Sequence, residues 1–304
     1  MHEPDRFDTV GQLLDWAGLE LERAGIVCGQ GTSSCRDEAA ALIWHRLGLD
    51  HADDSAYRRP LTPADEAACQ ALIRLRIAER LPAAYLVGEA WFAGLPFHVD
   101  GSVLIPRSPF AELIETAFQP WFNLPAEPRI LEVGTGSGCI AIACARAFPL
   151  SRIVATDVSA AALDVARRNA ERHGVAARVE LRLADLYAGI DGPFDAILSN
   201  PPYVPDGELF DMPPEFAAEP RAALAGGGDG LDLVRWLIAD ARPLLKPGGF
   251  LAIEVGAGSA ALEAAFPAVP FLWPDFARGG DGIALVAARD LPGDNTPRAH
   301  AARR

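Results

Sequence analysis

The sequence predicts an α/β protein: a doubly wound, mostly parallel sheet preceded by a small helical domain and a linking β-hairpin. Three features predict it. Beyond Pro128, β-rich runs alternate with segments of helical period, as expected for strands joined by crossover helices. Residues 1–85 read as helical throughout. Between them EAWFAGLPFHVDGSVLIPR is dense in aromatic and β-branched residues and carries turn signals at Gly94-Leu95-Pro96 and Asp100-Gly101.

In the first region, DTVGQLLDWAGLELERAG repeats apolar residues at helical spacing, with Asp8 or Thr9 available as N-cap and Gly25 as a stop. SCRDEAAALIWHRLGL opens on Ser34 and closes near Gly48. TPADEAACQALIRLRIAER places Thr62 before Pro63, acids in the first turn and Arg76 and Arg80 late, an order that suits the helix dipole. The hairpin is expected over 86–107, and SPFAELIETAFQPWF after it is expected to be a helix capped by Ser108. The strands of the sheet are RILEVG, RIVATD, RVELRL, FDAILSN, GFLAIEVG and GIALVAA. The helices between them are GCIAIACARAF, SAAALDVARRNAERHG and GLDLVRWLIADARPLL. Residues 108–290 form this large domain, and 291–304 read as a polar tail.

Composition narrows the function classes. The N-terminus lacks the basic and apolar regions of a signal peptide, and no uncharged apolar run reaches membrane-spanning length, so a cytoplasmic protein away from membranes is expected. Cys28, Cys35, Cys69, Cys139 and Cys144 show no CxxC spacing and are odd in number, so no metal site and no disulfide framework is expected. Cys139 and Cys144, in an Ala/Ile-rich helix, read as small buried hydrophobes. A net charge of -14 disfavours DNA or RNA and favours a basic protein partner.

LEVGTGSGCIAIACA is a strand, a glycine turn and a helix. Gly134, Gly136 and Gly138 let the backbone turn tightly and approach a ligand at the helix N-terminus. Cys139 stands where a dinucleotide fingerprint needs glycine, and no P-loop Lys follows. Asp157 ends the next strand, where an acid in doubly wound folds accepts from ribose hydroxyls, and Ser159 caps the following helix. GxGxG with Asp157 resembles the S-adenosylmethionine-binding pattern of class I methyltransferases, whose fold is Rossmann-like. The resemblance implies that Glu132 orients the methionine part and that Thr135 and Ser137 lie in the cofactor loop. It also implies that Asp185 and Leu186 contact the adenine ring, although Asp185 reads equally well as a helix cap.

FDAILSNPPYV closes the fourth strand with Asn200-Pro201-Pro202-Tyr203. Successive prolines deny the backbone regular hydrogen bonds and hold carbonyls outward. The Asn200 side-chain carbonyl and the Pro201 backbone carbonyl can then accept both hydrogens of a planar NH2 group, against which Tyr203 can lie. Two fixed acceptors polarise that poor nucleophile, and alignment with a sulfonium methyl supplies proximity. The tetrapeptide admits a glutamine amide, or the exocyclic amine of adenine or a related base.

VLIPRSPFAELIE, the helical N-terminal domain, LEVGTGSGCIAIACA and SNPPYV together resemble the bacterial protein-(glutamine-N(5)) methyltransferases over nearly the whole chain. Ser108-Pro109-Phe110 departs from the IPRPDTE of the release-factor branch, and the chain is similar to the branch acting on the third large-subunit ribosomal protein. The resemblance implies that Arg107 borders the methyl-acceptor site beside Asn200, Pro201, Pro202 and Tyr203. It implies S-adenosylmethionine as methyl donor, no metal, and a basic ribosomal protein as partner. The competing readings are a release-factor enzyme, an N6-adenine methyltransferase on nucleic acid, and a catalytically silent binding protein. The acidic segment 205–230 reads either as a lid or docking surface or as a solvated connector.

Overall fold

The computed structural model describes residues 6–50, 52–280 and 282–293, so residues 294–304 of the expected tail and 1–5 of the N-terminus lie outside the described residues. Helix α1 (Val10–Arg23) starts on the Thr9 hydroxyl, which accepts from Gln12 N, and puts Val10, Leu13, Leu14, Ala17 and Leu21 on one fully buried face. Helix α2 (Cys35–Leu47) is capped by Ser34 and ends on left-handed Gly48. Helix α3 (Pro63–Glu79) starts on Thr62 with Pro63 at its head. These three pack around Leu42, Ile43 and Ile73. A 3-10 turn (Asp54–Arg58) and helix α4 (Ala83–Val87) escape the sequence reading.

Arg76 and Arg80 do other work than the dipole argument assigns them. Arg76 is fully buried and its Nε donates to Glu38 Oε1 at 2.7 Å, which also accepts Ala83 N. Arg80 ends α3 in a left-handed conformation, and its guanidinium donates to the carbonyls of Ala24 and Gly25 at the close of α1.

Strands β1 (Glu89–Phe92) and β2 (Leu95–His98) form the expected hairpin, but the turn is Ala93-Gly94, both with positive φ, while Leu95 and Pro96 belong to β2. Helix α5 is shorter than expected (Phe110–Glu115), because Ala117 and Phe118 turn left-handed and bury Phe118 completely.

The main sheet contains β3 (Arg129–Val133), β4 (Arg152–Asp157), β5 (Val179–Leu183), β6 (Phe194–Ser199), β7 (Leu245–Glu254) and β8 (Ile283–Ala287). Its order is β5-β4-β3-β6-β7-β8, parallel except for β8, which runs antiparallel to β7. Helices α6 (Cys139–Ala147), α7 (Ala160–Arg172), α8 (Asp232–Ala241) and α9 (Ser259–Ala265) complete the architecture; α9 is not apparent in the sequence. Alternation along the strands feeds both faces. Ile130, Ala196 and Leu198 pack with α5 and α6, while Leu131, Ile197 and Leu251 pack with α8. Cys139 and Cys144 are buried among the apolar side chains of α6.

From β3 the chain runs outward to β5 and then returns to β6 on the other side of β3. The carboxyl ends of β3 and β6, paired Val133 with Ser199, therefore flank the switch point where ligands bind in such sheets.

Candidate active site

The glycine turn leaves β3 with positive φ at Gly134, Gly136 and Gly138. Gly134 N and Thr135 N both donate to Thr156 O at 2.9 Å, which sews the loop to the end of β4. The Asp157 carboxylate continues the seam, accepting Gly136 N on Oδ2 and Ser159 N on Oδ1, each at 2.9 Å. Each oxygen keeps a lone pair for a ligand hydroxyl. A Cβ on Gly138 would come within 3.1 Å of Ala166 Cβ and Ile142 Cδ1, so this glycine lets α6 pack closely on α7.

Glu132 is 2% exposed and has no cation beside it. Thr135 Oγ1 donates to its Oε2 at 2.6 Å and Ala141 N to the same oxygen at 2.9 Å. Burial, reinforced by the charge of Asp157, pushes the carboxyl up to about 8.

A cavity of about 310 Å³ opens at the switch point. Glu132, Gly134, Thr135, Gly136, Ser137, Asp157, Asp185 and Leu186 line it together with Arg107, Asn200, Pro201 and Pro202. The structure thus brings together the residues singled out from sequence, with two exceptions: Gly138 lies behind the turn and Tyr203 is not on the cavity wall. Only turns follow Asp185, so the helix-cap reading of this residue falls. Leu186 adopts φ 51°, a strained conformation for a side chain with a Cβ, and packs beside Tyr187. The Ser137 hydroxyl is buried on the wall without a hydrogen-bond partner among the described residues.

Tyr203, expected to lie against the acceptor amide, is off the cavity wall. Its hydroxyl donates to Glu254 Oε1 at 3.0 Å, and its ring lies where a Cβ on Gly256 would come within 2.7 Å of Cε2. The Ser108 hydroxyl donates to the other oxygen of Glu254 and accepts Phe110 N, so it does serve the head of α5. Arg107 lines the cavity, but its guanidinium is engaged: Nη1 and Nη2 donate to Glu219 Oε1 and Oε2 at 2.6 and 2.9 Å, and it sits over the Phe216 ring.

Glu219 and Glu215 show that the segment after the tetrapeptide is not a solvated connector. Glu219 also accepts Ile105 N and the Gln30 amide. Glu215 is fully buried, accepts Val27 N and faces Arg80 at 2.7 Å and Arg76 at 3.8 Å. The segment thereby clamps the helical region to the connector, and its Pro220, Ala222 and Ala223 line the cavity.

Sequence reasoning missed this clamp, Glu254, and Asn169 of α7. The buried Asn169 amide bonds both the N–H and the carbonyl of His98, and donates to Ser137 O, tying hairpin to glycine loop. A lone Asn amid the charged run of α7 is the one signal the sequence offered. Cys28 and Cys35 also approach each other, with sulfurs 3.2 Å apart.

Comparison with known proteins adds family evidence. The Methyltransferase small domain model matches residues 116–231 and the PrmC N-terminal domain model residues 12–88. The chain is 42% identical over 287 residues to the ribosomal protein uL3 glutamine methyltransferase of Bordetella pertussis, covering 93% of this chain and 96% of that one. The proteins of the same name from Burkholderia pseudomallei and Xanthomonas campestris are 39% and 40% identical. They cover 95% and 94% of this chain, and 97% and 94% of their own length is matched.

Proposed function

The chain belongs to the family of the ribosomal protein uL3 glutamine methyltransferases, and from that premise we propose that it methylates the side-chain amide nitrogen of a glutamine in ribosomal protein uL3, with S-adenosylmethionine as donor. One observation carries the reading: the glycine turn after β3 and Asn200-Pro201-Pro202 after β6 open on the same cavity.

The residues present fit the donor. The unpartnered Ser137 hydroxyl and the cation-free Glu132 suit its polar amino-acid end. Asp157 suits ribose hydroxyls, and Leu186 with Val158 offers an apolar surface for a ring. When bound, the donor supplies an electrophilic sulfonium methyl. Asn200 Oδ1 and the Pro201 carbonyl accept the two hydrogens of the glutamine amide, which holds the nitrogen planar and raises its electron density. The amide nitrogen would take the methyl as the donor's C–S bond breaks to leave a neutral thioether, and the surplus proton on that nitrogen would pass to water after transfer. Proximity and polarisation supply the rate, and no general base is required.

The helical region 1–85 is read as the part that engages the substrate protein, 86–107 as the link and 108–290 as the transfer domain. The Glu215–Arg80 and Glu219–Arg107 pairs support coupling between them. A -14 chain attracts a basic ribosomal protein over long range and repels nucleic acid. No helix among the described residues is long and apolar enough to cross a membrane, and a ribosomal substrate supports a reaction in the cytoplasm.

The test is incubation of the purified enzyme with labelled S-adenosylmethionine and, separately, uL3, a release factor and ribosomal RNA, followed by peptide mass spectrometry. Label is expected on a uL3 glutamine, with the rate falling as salt rises. Label on a release factor alone moves the chain to the other branch, and label on RNA alone overturns the protein-substrate reading.

A further inference from the structure

Glu254 is the last residue of β7, the neighbour of the strand that carries the Asn200–Tyr203 turn. It is 5% exposed and pairs with no arginine or lysine among the described residues; the guanidinium of Arg107 is taken by Glu219. A buried carboxylate with no cation is costly to keep, and burial pushes its pKa up. Two hydroxyls compensate, one on each oxygen. They come from segments far apart in the chain: Tyr203 follows the tetrapeptide prolines, and Ser108, 146 positions before Glu254, follows Arg107. Both hydroxyls have defined roles. Ser108 accepts Phe110 N and so turns its proton toward Glu254, while the Tyr203 ring rests against Gly256.

We propose that Glu254 is a positioning residue for methyl transfer: by bridging Tyr203 and Ser108 it sets the spacing between the Asn200–Pro202 acceptors and the Arg107 side of the cavity. The inference rests on the methyl-transfer reading above. Tyr203 then acts through its hydroxyl as an anchor, holding the two carbonyl acceptors in place from behind. The carboxylate alone can accept from both hydroxyls at once. An amide at 254 would present a donor to one of them, turn that hydroxyl around, and release one side of the mouth.

The test uses the full-length chain and the variants Glu254→Gln, Tyr203→Phe and Ser108→Ala, together with the Glu254→Gln/Tyr203→Phe double variant. Turnover on uL3 is read beside calorimetric affinity for S-adenosylmethionine. Glu254→Gln is expected to lower kcat about tenfold or more while KM for the donor and its Kd stay within twofold. Because the carboxylate acts through the phenol, adding Glu254→Gln to Tyr203→Phe is expected to cost less than threefold further. A second readout is independent of substrate. With 13Cζ-tyrosine labelling the four tyrosines give four resonances, and the one absent in Tyr203→Phe is expected to shift in Glu254→Gln. Parent-level kcat in Glu254→Gln, fully multiplicative effects in the double variant, or an unmoved Tyr203 resonance would each overturn the role. A parent enzyme that labels no glutamine would overturn the functional reading itself.

Discussion

Two regions of this molecule bury carboxylates, and they handle the charge in opposite ways. In the segment after the tetrapeptide, Glu215 and Glu219 lie against Arg80, Arg76 and Arg107, and each carboxylate also accepts a backbone N–H from the N-terminal half of the chain. At the glycine turn, Glu132 is as deeply buried but meets only the Thr135 hydroxyl and the Ala141 N–H, both on one oxygen. The first arrangement pairs each carboxylate with an arginine of the chain and serves assembly. The second leaves a carboxyl with no cation beside it on a cavity wall, which suits a site that a positively charged ligand group completes. In these two regions the burial serves assembly where arginines neutralise the carboxylates, and at the glycine turn the carboxyl is left open to a ligand.

The contrast breaks most visibly at Glu215. Glu215→Ala removes the carboxylate beside Arg80 and the more distant of the two beside Arg76, which keeps Glu38, and unfolding in urea should show a loss of about 3 kcal/mol, the upper end of the cost of leaving a buried polar group unsatisfied. A loss below about 1 kcal/mol, the worth of a surface ion pair, would make the clamp incidental.

Asn200 tests the other side, a polar group on the cavity wall. Asn200→Ala should cut turnover roughly a hundredfold or more, as for loss of one electrostatic positioning group, while the unfolding midpoint and donor affinity hold. Turnover at the parent rate removes Asn200 from the acceptor site.

Asp157 stands between the two cases, because it both fastens the glycine turn and lines the cavity. Asp157→Ala should weaken donor binding by about 1.5–3 kcal/mol, the range for hydrogen bonds to a charged group, and unchanged calorimetric affinity excludes a binding role.

The smallest effect belongs to Glu132 and is sharpened by pH. Its carboxyl is held at about 8 in the fold against 4.5 when free, so the folded state keeps a proton that the unfolded chain releases. The contribution of Glu132 to the stability of the ligand-free protein is therefore fully present below pH 4.5 and is lost toward pH 8, amounting to about 1–3 kcal/mol, the cost of an unsatisfied buried polar group. Glu132→Gln should flatten this slope, since one amide oxygen can still accept both Thr135 and Ala141, and should weaken donor binding. A slope that survives the substitution assigns the titration elsewhere.

Much of this molecule was legible without coordinates, because it is written locally. Ser34, Thr62 and Ser159 cap helices through side chains that reach only three residues ahead. The strands and crossover helices declare themselves by period, and the glycine turn and the Asn200-Pro201-Pro202 turn are contiguous strings whose backbone chemistry needs nothing distant. Of the residues singled out for the site, all but Gly138 and Tyr203 line the cavity. What only the tertiary structure decided joins groups far apart in the chain: Glu215 with Val27 across 188 residues, Glu219 with Arg107 across 112, Glu254 with Ser108 across 146. A glutamate in a polar loop and one ending an apolar strand give no local sign of burial. Their state depends on which distant donors the fold delivers, and burial without such donors would have been too costly to keep. Tyr203 shows the same limit, since the tetrapeptide fixes where its backbone lies but the distant Glu254 decides where its hydroxyl points.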